Sequence, residues 1–358
     1  MRATQDKILR ALLYALGAVA TVAFVITKSP GLLDWATSGG YKYGDLYRIC
    51  EVKDFKPARP LPFGDHENED SFDQHSSADG KDVLLIGDSF SFCDWGKNPY
   101  WMQLSQQLGR PIFSVYNNHH PYYWTNPCAL LGAQAAASPA PKVLVYEIVE
   151  RSVPAQFSLP VSTNSFAPSP EASRLEQIAN DIFANTDERH KLLLKHNFFM
   201  DTADACLNTL AFEHFKHISS DTPWYSLHPP FLFYGGEVSC FQSKHDDAFV
   251  DQLADNVALL DRTLSERFNC TLVFVPLPNK VTLYSKLAGN EKYDDFLPRL
   301  CAALKRRGVR TVEVLPEFQK QSELLYWPTD THWNDLGINI AVRQTLAMFP
   351  PGWARADH

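Results

Sequence analysis

The sequence predicts an α/β fold, a central parallel sheet with helices on both faces, placed behind an N-terminal transmembrane helix. Two observations carry the fold class. Short continuous apolar runs such as Val83-Leu84-Leu85-Ile86 end in turn residues, the pattern of strands buried on both faces. Amphipathic helical segments separate successive runs, and strands alternating with helices build parallel sheets. A third observation, the uncharged stretch from Ala11 to Thr27, sets the beginning of the chain apart.

That stretch, ALLYALGAVATVAFVIT, approaches with Ile8 and Leu9 the length needed to cross about 30 Å of hydrocarbon. It is apolar on every face and lies beside a basic cluster, unlike a buried core helix. Ala18-Val19-Ala20 mimics a signal-peptide cleavage site, but cutting there leaves TVAFVIT exposed, which favours an uncleaved anchor. Arg2, Lys7 and Arg10 precede the span and Lys28 alone directly follows it. The positive-inside rule then puts the N-terminus in the cytoplasm and the rest of the chain outside.

Residues 52–82 are rich in Pro, Asp, Glu, Ser and His and read as a linker. Beyond them, strands are expected at Val83–Ile86, Ile112–Tyr116, Lys142–Val149, Thr271–Val275 and Thr311–Leu315. Helices are expected at Pro99–Leu108, Phe249–Phe268 and Phe296–Arg307, with a last one capped by Asn334 or Asp335. The organisation expected is a stub and anchor (1–28), a linker (29–82) and one domain (83–350) with a partly helical insertion at about 152–242. The insertion carries Phe198, Phe199, Phe212, Phe215, Trp224, Tyr225, Phe231, Phe233 and Tyr234. It either roofs the carboxyl edge of the sheet, where ligands of open α/β folds bind, or forms an accessory aromatic core.

The 358 residues carry 33 Lys and Arg against 41 Asp and Glu, a net charge of −8, which argues against general nucleic-acid binding. A hydrophobic share of 45% against 21% charged excludes a mostly disordered chain. Seven cysteines (50, 93, 128, 206, 240, 270 and 301) include no Cys-x-x-Cys pair, so neither a zinc ribbon nor a thioredoxin-like site is expected. An exported domain permits disulfides, and buried apolar thiols are the equal alternative. No cofactor or metal is expected.

Two segments carry chemistry. Gly87-Asp88-Ser89-Phe90 follows the first strand directly and places Ser89 on the turn that leaves the sheet's carboxyl edge. A serine there serves as a nucleophile or as a helix cap. Near the C-terminus, Asp330-Thr331-His332-Trp333-Asn334 precedes the last helix. An extended backbone sends Asp330 and His332 to one side, so the carboxylate can orient the imidazole that a serine nucleophile requires. An Asp-x-His metal half-site is the rival reading, and no second ligand cluster completes it.

With these residues the chain resembles the SGNH hydrolase-like domain of the alginate O-acetylation proteins, the AlgJ/AlgX group. The segments that carry the likeness are GDSF, DTHWN, Val145-Tyr146-Glu147-Ile148-Val149-Glu150-Arg151 and Val275-Pro276-Leu277-Pro278-Asn279-Lys280. It spans roughly residues 83–348 and implies a three-layer SGNH-like fold with Ser89, His332 and Asp330 as catalytic residues. In the alginate group the Asp-x-His segment precedes the serine. Here the serine comes first, as in ordinary SGNH esterases, so the polymer specificity is not carried over. SGNH esterases complete their oxyanion hole with a glycine after the second strand and an asparagine after the third; these places hold Tyr116 to His120 and Glu147 to Arg151. The Ser89 amide is the first expected donor and Asn118 the second, while Arg151 orients Glu147 or meets substrate.

The resemblance implies O-acetyl transfer to an extracytoplasmic polysaccharide, with a separate multipass membrane acyltransferase as acetyl donor. The implied location is the bacterial inner membrane, with the catalytic domain in the periplasm. A carbohydrate acetylesterase is the first alternative and a non-catalytic subunit of a polysaccharide export complex the second.

Overall fold

The computed structural model describes residues 2–29, 44–50, 52–56, 81–92, 99–117, 124–137, 141–160, 198–289 and 292–351, with 32, 36, 193 and 353. The chain divides into two compact units, Met1–Asp65 with Ser169–Ile218 and His66–Pro168 with Ser219–His358.

In the first unit a helix runs over Arg2–Lys28, and its segment Arg10–Lys28 is long and apolar enough to cross a membrane. A membrane anchor and a signal sequence share that property. Two of its hydroxyls are satisfied within the helix, Thr21 donating to the Gly17 carbonyl at 2.8 Å and Thr27 to that of Phe24 at 2.9 Å. The helix Phe198–Phe215 belongs to the same unit and sets Phe212 edge-on to Phe55, centroids 6.1 Å apart. Lys53 pairs with Glu213 beside that contact.

The second unit holds the sheet. Its strands are β1 (Val83–Gly87), β2 (Ile112–Tyr116) and β3 (Val143–Val149), an antiparallel hairpin of β4 (Trp224–Leu227) and β5 (Pro230–Phe233), then β6 (Thr271–Leu277) and β7 (Arg310–Thr311). The five sheet strands lie in the order β2-β1-β3-β6-β7, every pair parallel. This is the α/β sheet the sequence predicts.

Alternation along the strands supplies two cores. Leu84 and Ile86 face one way with Phe113, Leu144, Tyr146, Leu272 and Phe274, against the helices Pro127–Ala137, Asp247–Phe268 and Phe296–Arg306. Val83 and Leu85 face the other way with Val143, Val145, Val273 and Val275, against Tyr100–Leu108 and Asp335–Leu346. Because both faces are covered, the strands read as unbroken apolar runs.

Helix ends follow local chemistry. Asp246 accepts from the Phe249 amide at 2.8 Å and opens the long helix, while Asn269 closes it in the left-handed region at φ 50°. Asn334 accepts from the Leu336 and Gly337 amides, both at 3.1 Å, and caps the last helix.

The fifth strand is shorter than expected. β7 covers only Arg310–Thr311, and Val314 and Leu315 instead open a helix, Val314–Gln319. Pro316 explains the difference, because it has no N–H for a ladder and is well tolerated in the first turn of a helix. The aromatics of residues 212–234 divide as well. Phe212, Phe231 and Phe233 are buried, Trp224, Tyr225 and Tyr234 are half-buried, and Phe215 is exposed. Among the described residues Cys128, Cys206, Cys240, Cys270 and Cys301 are free thiols. Burial pushes those of Cys240, Cys270 and Cys301 up to about 12, so they stay protonated at neutral pH.

Candidate active site

The Ser89 turn is assembled from the ends of two neighbouring strands. β1 stops at Gly87, and a short helix, Ser89–Phe92, starts two residues later. Asp88 caps that helix through Oδ1, which accepts from the Phe90 amide at 2.8 Å, and its Oδ2 accepts from the Val149 amide at 3.2 Å. From β3, the fully buried Glu147 reaches under the turn. Its Oε2 accepts from the Asp88 amide at 3.0 Å and from the Ser91 hydroxyl at 2.7 Å.

Gly87 makes that approach possible: a Cβ there would lie 2.4 Å from Ser91 Oγ and 2.8 Å from Glu147 Oε2. Burial, then the adjacent Asp88 charge, holds the Glu147 carboxyl well above the usual carboxylate range, only partly offset by these hydrogen bonds.

The segment 325–334 folds back on itself. Tyr326 and Trp333 form an antiparallel bridge, Trp327 donates its amide to the His332 carbonyl at 3.1 Å, and Asn334 donates to that of Leu325 at 2.8 Å. Trp333 Nε1 donates to the Phe90 carbonyl at 3.0 Å, which ties this loop to the helix that begins at Ser89.

The two segments meet at three side chains. Ser89 Oγ lies 2.8 Å from His332 Nε2, and His332 Nδ1 lies 2.6 Å from Asp330 Oδ1. Asp330 Oδ1 also accepts the His332 amide at 2.8 Å, so one carboxylate oxygen fixes both the ring and its backbone. With a proton on Nδ1 facing Asp330, Nε2 is left to accept the Ser89 hydroxyl. The imidazole packs on the Phe90 ring at 4.9 Å between centroids. Asp330 and His332 are buried and Ser89 is half-buried, so this chain of hydrogen bonds opens outward at the serine. It can move the serine proton to the imidazole and stabilise the resulting cation.

The remaining expected site residues have different outcomes. As the first residue of its helix, Ser89 has an amide with no partner within that helix. Asn118 lies outside the described residues. Its neighbour Asn117 donates its amide to the Gly87 carbonyl at 3.0 Å, level with the end of β1.

Arg151 does not orient Glu147. The 3-10 turn Glu150–Ser152 carries it past the end of β3 to the helix Gly235–Gln242, where its guanidinium bonds the fully buried Glu237 at 3.0 Å. It also lies 5.6 Å from the centroids of both Phe90 and Tyr234. Sequence reasoning missed Glu237, whose helix carries no motif. It pairs Glu147 with Arg151 and does not show that Glu147 supports the Ser89 turn.

Residues 228–354 match the family model described as "SGNH hydrolase-like domain, acetyltransferase AlgX". Over 99 residues the chain is 30% identical to a protein of Pseudomonas syringae pv. tomato described as "Probable alginate O-acetylase AlgJ". This chain is similar to the SGNH-like AlgJ/AlgX group. The alignment with the AlgJ protein covers 25% of each chain, so the chain spans about a quarter of that relative's length. No solved structure matches. The AlgX-type segment contains Glu237, Asp330 and His332, while Ser89 and Glu147 come from outside it.

Proposed function

We propose that this protein is an O-acetyltransferase that modifies an extracytoplasmic polysaccharide through an acetyl-serine intermediate. The observation that carries the reading is the hydrogen-bond chain from Ser89 through His332 to Asp330. The AlgJ/AlgX likeness supplies the acetyl group and the polysaccharide.

Ser89 Oγ attacks the carbonyl carbon of an acetyl donor while His332 Nε2 takes the serine proton. Negative charge collects on the carbonyl oxygen, where the Ser89 amide, with Asn118 as the second donor, stabilises it. Collapse breaks the bond to the donor's leaving group, which takes the proton from His332, and acetyl-Ser89 remains. A sugar hydroxyl then enters, loses its proton to His332 and displaces Ser89, which regains that proton as the acetyl ester of the sugar forms. Asp330 holds the ring tautomer and the imidazolium throughout, and Arg151 borders the acceptor.

On this reading the donor is a multipass membrane acyltransferase. The N-terminal helix anchors the chain in the inner membrane and keeps Ser89 near that donor on the periplasmic side, raising its effective concentration.

One observation favours a second reading. Ser89 precedes Asp330 and His332 in the chain, the order of SGNH esterases, and such an esterase uses the same three residues with water as acceptor. Incubating the full chain with p-nitrophenyl acetate and bacterial oligosaccharides, then weighing the glycans, separates the two. Acetylated glycan that disappears in Ser89→Ala supports transfer. Free acetate alone, with loss of acetyl from pre-acetylated glycans, overturns it in favour of the esterase.

A further inference from the structure

The Lys280 side chain is fully buried, yet it lies outside the Ser89–His332–Asp330 chain. Lys280 opens the short helix Lys280–Tyr284 just after β6, and its Nζ points into the loop that carries the other two site residues. Nζ donates to the carbonyls of Trp327 at 2.8 Å, Pro328 at 2.8 Å and Asp330 at 2.9 Å. An ammonium has three protons, and these three carbonyls match them. The charge also lies over the Phe231 ring, 4.0 Å from its centroid. The Phe231 hairpin binds the same loop, since the Leu232 amide donates to the Pro328 carbonyl at 2.9 Å.

We propose that Lys280 is a positioning residue for this site, its ammonium gathering the carbonyls of residues 327, 328 and 330 so that Asp330 is held against His332. This deepens the proposed acyl-transfer reading and rests on it.

Two physical arguments support the role. Burying an ammonium costs several kcal/mol unless its protons are all bonded, and packing alone would be met more cheaply by an apolar side chain. Here the charge is placed on the one loop whose geometry sets the His332 ring. Backbone bonds already tie that loop, at the Tyr326–Trp333 bridge, from Trp327 to the His332 carbonyl and from Asp330 to the Trp327 carbonyl, but they do not draw the Trp327, Pro328 and Asp330 carbonyls to one point. A convergent cation does so, and a lysine suits the task because its donors radiate from a single point, whereas an arginine fork is planar. A shift of about 1 Å in a supporting element can cost about 100-fold in rate, so a clamp on the loop that carries Asp330 and His332 acts on turnover and not on substrate affinity.

The test uses the full-length chain in detergent, with Lys280→Met and Lys280→Arg. The Nδ1 proton shared by His332 and Asp330 gives a far-downfield proton resonance, assigned by its loss in His332→Gln, and this signal needs no turnover. Hydrolysis of p-nitrophenyl acetate gives kcat and KM. Both variants are expected to weaken or shift the resonance and to lower kcat about 10- to 100-fold with KM within about twofold. A folded variant that keeps the wild-type resonance, or one whose kcat stays within about twofold, overturns the proposal. If Lys280→Met does not fold, Lys280→Arg, which retains a charge and donors, decides alone. Ser89→Ala in the same assay separates the two levels: full activity there sinks the nucleophile reading, while the resonance still tests Lys280.

Discussion

Ser91 donates its hydroxyl to Glu147 Oε2 at 2.7 Å, so the helix that begins at Ser89 stands on a buried carboxyl group from the neighbouring strand. That carboxyl titrates well above its ordinary value, first because it is buried and then because Asp88 is beside it. Between the unfolded and folded values the native protein binds the extra proton. Stability from this group is therefore complete below the unfolded value of about 4.3 and is lost as pH rises toward the folded one. Glu147→Gln keeps a neutral acceptor for Ser91 and the Asp88 amide. It is expected to fold and to flatten the decline of stability between about pH 4.5 and neutrality, measured by urea unfolding across pH. Glu147→Ala leaves two buried donors and a cavity, and should cost about 2–4 kcal/mol. An equally steep decline in Glu147→Gln would show that another group sets it.

Gly87 tests the same support from its other side. A methyl group there meets Ser91 Oγ at 2.4 Å and Glu147 Oε2 at 2.8 Å, and neither side chain can withdraw without breaking the bond between them. Gly87→Ala is expected to destabilise the fold by about 1–3 kcal/mol. Because the displaced atoms carry the Ser89 helix, the rate of p-nitrophenyl acetate hydrolysis should fall further than the folded fraction does. Parallel losses in both would mean that the turn relaxes without moving the serine.

Ser89→Ala removes one oxygen from a half-buried turn and leaves the capping by Asp88 in place. Its unfolding midpoint should stay near wild type while acyl transfer falls by about three orders of magnitude or more. His332→Gln should match that loss within about tenfold, since serine and base act as a unit. Mass spectrometry of protein quenched with p-nitrophenyl acetate is expected to find the acetyl adduct on Ser89 in wild type only. An adduct of equal yield in Ser89→Ala would place the nucleophile elsewhere.

The parts of this molecule that were legible in the sequence are those governed by local rules. β2 matches its expected limits at Ile112–Tyr116, because an apolar run covered on both faces has no competing pattern. Of the two expected caps, Asn334 and Asp335, it is Asn334 that caps the last helix. The Ser89, Asp330 and His332 segments were readable because each lies at a strand or helix end, where spacing alone selects the carboxyl edge. Relations between distant segments were not readable. Arg151 and Glu237 are 86 positions apart and meet only because a 3-10 turn carries the chain past β3. Lys280 sits in a motif that was noticed, but its three carbonyl partners have no side-chain signature at all. β7 ran short because Pro316, further along, decides where the backbone leaves the ladder.

The segment Arg10–Lys28 leads to a prediction about topology. Basic residues ahead of the span and few directly behind it orient an uncleaved anchor with its N-terminus in the cytoplasm. A reporter active only outside the cytoplasm, fused after His358, should be active. The full-length chain should remain with the membrane fraction through a carbonate wash. Release of a shortened, soluble protein would identify the helix as a cleaved signal instead.

Arg151 and Glu237 permit a test of whether the arginine serves structure alone. Glu237 is fully buried and the Arg151 side chain is 20% exposed, so the pair is largely shielded from water. Arg151→Ala removes the guanidinium from a buried carboxylate and should cost about 3–5 kcal/mol, whereas replacing both partners with apolar or neutral side chains of similar volume is often nearly neutral. Arg151→Met with Glu237→Gln is therefore expected to recover most of the lost stability, as read from urea midpoints. The guanidinium also borders Phe90, the residue after Ser89, with its centroid 5.6 Å away. If the arginine meets the acceptor, the double variant will fold well yet transfer acetyl to a glycan about tenfold or more slowly, while its hydrolysis of p-nitrophenyl acetate stays near wild type. Recovery of glycan transfer along with stability would confine Arg151 to holding the Gly235–Gln242 helix against the end of β3.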